Sequence, residues 1–465
     1  MPANPFDRRC EIRGLRADRL RRCRHAYVRS QAGPPRFEPG QGQGDVRRAP
    51  AAGRLPHVDR ERMAAQLLLL RYGHSRIRPG GRLLVRIFQL ERVNCLKNAI
   101  TPTQAAILLF VFLTGSSIIN IPAPLIATSG TGSWICLLAA GAAGLLLLIP
   151  LVSLARRYPE TSYVQYVSKL LGKPLAFAIL FVFLLYQIHM VAAIVMDIAM
   201  FLKSSMMRAT YYTVFIVFTF LASACTVRIG LGKFVGMFGL LMLSVMIFIV
   251  FITILSSVRY DWHFLLPVAE DGIKPLLHGT YFVFGFPFGE VVLFTMILPF
   301  VHLRPSDRIG RKLALAVLLN MASLIMVTLA TILTFGPLAG ERKYSMFEVS
   351  RTIEMTELFQ RIEALMGYSM IVASFMKASI VLFISNATLN GLLGLPVDNR
   401  QLIFPLTLLC AVISITVGMR GEANWNFIVS GIHPLWGILG SVLPFLVVYL
   451  VSLFRRGRKV RAGSP

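Results

Sequence analysis

The chain has 465 residues, of which 55% are hydrophobic and only 15% charged, against roughly 25% charged in soluble globular domains. That balance excludes an ordinary soluble fold and points to an all-α polytopic membrane protein. The 48 Lys and Arg against 22 Asp and Glu would suggest nucleic acid in a soluble chain, but their distribution argues otherwise.

Residues 1–100 carry a net charge of +14, and the other 365 residues carry +12. Residues 1–96 hold 21 Arg and no Lys, with runs such as Pro34-Pro35 and Gly40-Gln41-Gly42-Gln43-Gly44. The apolar run there, Leu67 to Leu70, is far shorter than the roughly 20 residues a span needs. The first 60 residues contain no apolar stretch of the kind a signal peptide requires. Residues 1–97 are therefore expected to be an Arg-rich extension, either a disordered cytoplasmic tail or sequence upstream of the true start. The composition favours the latter, with Met63 or Val93 as candidate starts. An arm for RNA or anionic lipid is disfavoured, because no aromatic interleaving or recognition fold accompanies the arginines. Nucleic acid is not an expected partner.

From Thr103 onward hydropathy predicts ten spans, over 103–127, 131–155, 174–202, 210–227, 230–257, 276–300, 312–338, 364–394, 402–419 and 430–454. They form a membrane domain over 98–456, followed by a basic cytoplasmic tail over 457–465. With the N-terminus inside, the inner loops and tail carry sixteen basic residues, and the outer loops carry nine alongside nine acidic ones. This obeys the positive-inside rule, places both termini in the cytoplasm and assigns the basic charge to the lipid bilayer's inner face. Cys136, Cys225 and Cys410 lie singly within spans, and no metal-ligand spacing exists. No metal or cofactor is expected. His189, in the third span, is read as a satisfied polar residue facing the bundle.

Two spans are defective as helices. The first contains Thr114-Gly115-Ser116-Ser117 near its middle and then Pro122 and Pro124, which cannot donate backbone hydrogen bonds. The sixth contains Phe284-Gly285-Phe286-Pro287-Phe288-Gly289-Glu290. Unwound backbone at that depth is tolerable only where it is buried in protein or lines a cavity. The alternative is that both are merely kinked. Spacing by five spans places the second break upside down relative to the first, so spans 1–5 and 6–10 are expected to form an inverted repeat with the broken helices crossing at its centre. That is a transporter pattern for binding a small zwitterion at the midplane.

Three ionisable residues fall within spans: Asp197 in the third, Glu290 in the sixth and Lys377 in the eighth. Each costs about 2.5–3.5 kcal/mol at a helix centre, so each should find an interior partner, although Asp197 is close enough to its helix end to reach the outer surface. Glu290 is expected in the first turn of the second half-helix, where the dipole favours an anion. It could meet a ligand ammonium, bind a proton or cation, or pair with Lys377. The Gly115–Ser117 amides are candidates for a ligand carboxylate. Phe282, Phe284, Phe286 and Phe288 alternate around the sixth-span break; with Tyr186 and His189 they could line a small, mostly apolar pocket, the alternative being that the Phe stripe serves packing, as such stripes more often do. The expected ligand-binding set is Thr114, Gly115, Ser116, Ser117, Tyr186, Phe284, Gly285, Phe286 and Gly289.

From about Ile100 to Arg456 the sequence resembles the B subunits of spore germinant receptors, the spore-permease family within the amino acid/polyamine/organocation superfamily. The resemblance rests on Ile100-Thr101-Pro102-Thr103-Gln104, the Gly115 to Pro122 break, Trp134, and Leu154-Ala155-Arg156-Arg157-Tyr158-Pro159. It continues in Leu171-Gly172-Lys173, Leu266-Pro267-Val268, Gly272-Ile273-Lys274-Pro275 and Gly285 to Glu290 leading to Leu298-Pro299-Phe300. Phe359-Gln360-Arg361-Ile362-Glu363-Ala364 and Lys377 complete it. It implies a LeuT-like fold of ten helices and a subunit that recognises a nutrient, typically an L-amino acid, in the inner membrane of a dormant spore, with A and C subunits as partners. After span 4 the chain departs from the family: where relatives usually carry Gly-Ile/Leu-Glu followed by Ala-Arg, it has Arg228 to Phe234. A proton- or cation-coupled amino acid permease is the competing expectation. An enzyme has no support, since no phosphate loop, nucleophile elbow or zinc spacing occurs.

Overall fold

The computed structural model describes residues 100–461 except 159–160, 269, 271, 303–306, 354–360, 398 and 419–430. The expected extension over 1–97 and the end of the tail lie outside the described residues. The first span is three helices, α1 (Pro102–Thr114), α2 (Ser117–Asn120) and α3 (Pro122–Ser129). α1 begins with Pro102 after a reciprocal cap: Thr101 Oγ1 accepts from Gln104 N, and Gln104 Oε1 accepts from Thr101 N. The next spans are α4 (Ser133–Arg157), α6 (Lys173–Phe201), α7 (Tyr212–Ile229) and α8 (Leu231–Ser256). Before α6 runs α5 (Tyr163–Leu171), a short helix that buries Tyr163, Val164, Tyr166, Val167 and Leu170 along one stripe. Only Gly230 separates α7 from α8, at φ 101°, a conformation that glycine reaches without steric cost.

The sixth span opens as α9 (Ile273–Gly285) and resumes as a 3-10 segment, Phe288–Met296. The expected second α-half-helix is thus replaced by a stretched form. The segment is held near both ends, by Glu290 in the core and by Phe300, whose carbonyl accepts from Ile100 N at 3.0 Å. A 3-10 run covers about 2.0 Å per residue against 1.5 Å in an α-helix, and so spans the same gap with fewer residues. His302 N in turn donates to Ile100 O at 3.1 Å, closing a parallel bridge between Ile100 and Val301.

The remaining elements are α10 (Ile309–Phe335), α11 (Ser345–Arg351), α12 (Glu363–Leu392), α13 (Ile403–Gly418), α14 (His433–Gly437) and α15 (Leu443–Arg461). A π-helical turn, Ile438–Val442, joins the last two, so the tenth predicted span is also irregular. Among the described residues, eight helices are long and apolar enough to cross a membrane, and Pro102–Thr114 and Ile403–Gly418 are shorter apolar helices. The chain is an all-helical, integral multi-pass membrane protein. α6 and α12 are the most enclosed of the long helices, whereas α7 and α8 turn Phe218, Leu221, Leu240 and Leu243 outward, as a lipid-facing shell requires.

Packing partners recur with a shift of five spans. α1 packs on α10 as α9 packs on α4, α1 on α8 as α9 on α14, and α7 on α12 as α13 on α6. Three further pairs, α6 with α12, α4 with α10 and α7 with α13, map onto themselves under the same exchange.

Candidate functional site

The site is assembled where the two interruptions meet α12. Ahead of the first break, Gly115 N–H donates to Val111 O at 2.9 Å, so this amide is already engaged and is not open to a ligand. A Cβ at Gly115 would stand 2.5 Å from Lys377 Cβ and 2.8 Å from Ala373 O. Glycine is therefore needed here for close approach of span 1 to α12. Thr114 Oγ1 accepts from Asn320 Nδ2 at 3.0 Å, and Ser117 Oγ donates back to Leu113 O at 2.5 Å. Ser116 Oγ is buried with no hydrogen-bond partner.

At the second break, Glu290 lies in the first turn of the 3-10 segment, as expected of its position. Its Oε2 receives a hydrogen bond of 2.7 Å from Lys377 Nζ, and neither side chain is exposed. The pairing with Lys377, one of three alternatives open in the sequence, is the one the fold adopts. The ammonium also lies 4.5 Å from the centre of the Phe286 ring and 5.4 Å from that of Phe112, within range for cation–π attraction.

His433 joins the site without having stood out in the sequence. Its Nε2 lies 3.4 Å from Glu290 Oε1, and its ring meets Phe286 edge-on at 5.2 Å, with His189 at 5.5 Å and Tyr186 at 5.8 Å. The signal available was a His-Pro pair at the head of the tenth apolar segment. Tyr186 OH and His189 Nε2 are buried without hydrogen-bond partners, so the expectation of a satisfied His189 does not hold at that atom. Gly285 lies under Pro434, whose Cα would be 2.5 Å from an added Cβ, and Gly289 approaches Phe284 O. Phe284 is only half-buried.

Asp197 is bound to the first broken span and also acts electrostatically on Lys377. It is buried on α6 and accepts from Asn120 Nδ2 at 2.6 Å, which ties span 3 to the short helix α2 beyond the first break. The fold thus gathers Gly115, Phe286, Glu290 and Lys377 at one point with Tyr186 beside His433, while Asp197 ties α6 to α2.

A bundle with two interrupted helices meeting at a buried ion pair defines the class, a multi-pass membrane protein with a transporter-like fold. Two solved structures share its fold. A Na+-coupled sialic acid symporter has a TM-score of 0.56 at 15% identity, covering 74% of this chain and 79% of that one. Mhp1, a nucleobase-cation-symport-1 family transporter, has a TM-score of 0.55 at 14% identity, covering 72% and 75%. Both are LeuT-fold-like transporters. The profile of the spore permease family, described as spore germination protein, matches residues 99–422, and the chain belongs to that family. It is 26% identical over 376 residues to spore germination protein KB of Bacillus subtilis, covering 79% of this chain and 98% of the relative. It is 25% identical over 230 residues to spore germination protein XB of Bacillus anthracis, covering 48% and 61%.

Proposed function

We propose that the chain is the B subunit of a spore germinant receptor. It binds a small nutrient, an L-amino acid by its family resemblance, at the membrane midplane, and signals to A and C partner subunits in the spore's inner membrane to start germination. The observation that carries this reading is the fully buried Glu290–Lys377 pair where both broken spans meet α12. The ligand-binding surface comprises Thr114 to Ser117, Tyr186, Phe284 to Phe286 and Gly289, with Glu290, Lys377 and Asp197 holding the helices in register. The five-span recurrence of packing partners supports ten spans in a 5+5 inverted repeat, with α1–α3 and α13 as the first and ninth. The charge bias of the loops supports cytoplasmic termini. Signalling requires the ligand to bind one arrangement of the bundle more tightly than another. Deleting the gene should abolish germination in response to one nutrient, and a wild-type copy should restore it. Unchanged germination with every nutrient would refute the reading.

A cation-coupled amino acid permease is the second reading, favoured by the fold shared with two coupled transporters. Uphill accumulation of labelled amino acid by the purified chain in proteoliposomes, under an imposed proton or Na+ gradient, would establish it.

A further inference from the structure

We infer that an amino acid enters this site by inserting into the Glu290–Lys377 pair, its ammonium taking Lys377's place on Glu290 and its carboxylate taking the freed Lys377 ammonium. The inference rests on the nutrient-binding reading above and assigns its two polar ends.

Charge selects the ligand. The pair is wholly buried and neutral as a unit. A monovalent anion that captured Lys377 would leave Glu290 buried without a counter-ion, which is strongly unfavourable; a cation that displaced Lys377 is disfavoured less, because the buried Asp197 carboxylate also acts on Lys377. A zwitterion that enters between them leaves every charge paired. On the Glu290 side, the departing ammonium vacates a carboxylate next to the Phe286 ring, 4.5 Å from the present Nζ. Carboxylate and aromatic face together are what another ammonium would seek. His433, at 3.4 Å from Oε1, holds the other carboxylate oxygen while Oε2 changes partner.

For the ligand carboxylate, the amide of Gly115 is already committed to Val111 O. The Lys377 stem also covers that glycine, with Cβ and Cδ 2.5 and 3.3 Å from where a side chain would begin. Lys377 is the one Lys or Arg buried among the described residues, and its four-carbon stem lets the ammonium withdraw without moving the helix far. Admitting a molecule between atoms now 2.7 Å apart must part the 3-10 segment from α12. Because the Lys377 stem rests on Gly115, span 1 must yield as well, which gives the ligand its differential contact with two states.

The test uses the full chain in detergent. The twenty standard L-amino acids are screened by thermal shift, and each one that binds is compared with its methyl ester, which lacks the carboxylate, and its N-acetyl form, which lacks the ammonium. Both blocked forms should bind at least about tenfold more weakly, as expected for loss of a charge-assisted hydrogen bond. The double variant Glu290→Gln/Lys377→Met, which removes both charges together, should lose binding of the free amino acid by a similar factor. Equal binding of either blocked form, or of the free amino acid by a folded double variant, would overturn the insertion while leaving the receptor reading intact. So would a wild-type chain that binds a sugar or another uncharged nutrient and no amino acid. Should the double variant fail to fold, the wild-type analogue series decides alone. A wild-type chain that binds no nutrient at all would sink both readings.

Discussion

Gly115 and Lys377 are fitted so closely that the missing side chain of one is the space occupied by the stem of the other: a Cβ at position 115 would stand 2.5 Å from Lys377 Cβ. The second obstacle, Ala373 O at 2.8 Å, is backbone and cannot swing aside. Gly115→Ala should therefore push span 1 from α12 and destabilise the protein by about 1–3 kcal/mol, the usual cost of overpacking. Gly115→Val should do so more severely and abolish nutrient response. Thermal unfolding of the purified variants checks the first effect and germination assays the second; an alanine variant as stable as wild type would contradict this packing.

The Glu290–Lys377 pair should show strong non-additivity. Removing one member leaves an uncompensated buried charge, at about 3–5 kcal/mol. Glu290→Gln and Lys377→Met should each lower the melting temperature markedly, and the double variant should recover much of the loss. A double-mutant cycle read by thermal unfolding measures the coupling. Additive losses would mean that the two side chains do not depend on each other.

Asn120 holds Asp197 at 2.6 Å across 77 residues of chain. Asn120→Ala withdraws a donor from a buried carboxylate, with an expected loss of about 1–3 kcal/mol. Asp197→Asn, which keeps the shape and an acceptor, should cost less than Asp197→Ala. The order of the three melting temperatures checks this, and equal values for Asp197→Asn and Asp197→Ala would remove the hydrogen bond from the account.

On α5, outside the spans, burial pushes the phenol of Tyr163 above its ordinary value near 10, and that of Tyr166 likewise, with Tyr163 and Tyr158 adding to the latter. Their rings meet edge-on at 5.2 Å, and Tyr158 stacks on Tyr166 at 5.2 Å. A folded-state pKa above the unfolded one means that the native protein holds its protons longer. This stabilisation is fully present below about pH 10 and is lost as pH rises toward the raised values. The melting temperature should fall above about pH 10, and Tyr163→Phe should reduce that dependence. Ultraviolet titration of phenolate in the folded protein should show these two groups ionising late.

Both breaks could be read from composition, because Gly115, Pro122, Gly285 and Pro287 act locally on the backbone. The partner of Glu290 could not: Lys377 is 87 residues away, and which groups meet depends on helix rotation and on a crossing that local pattern does not encode. His433 was hidden for a related reason, since it sits at the edge of an apolar segment and gains meaning only when Gly285 comes to rest beneath Pro434. Asn320 is one of several polar residues on a largely apolar helix, and its bond to Thr114 follows only from α10 packing on α1. The 3-10 form of Phe288–Met296 had no sequence signal either. The segment is buried on every side, so no amphipathic period marks its turn, and its winding is set by where its ends are fastened.

The bridge of Ile100 with Val301 fastens the start of span 1 to the end of span 6, through bonds of 3.0 and 3.1 Å on either side of Ile100. Two broken rods riveted at one end behave as a pair of tongs. Whatever spreads their middles at Gly115 and Glu290 cannot translate either rod freely; it must swing the unriveted portions about the joint. The far ends of α3 and α9 are held together in turn, where Ser129 Oγ donates to Pro275 O at 3.0 Å. That contact should be among the first to open when the jaws move.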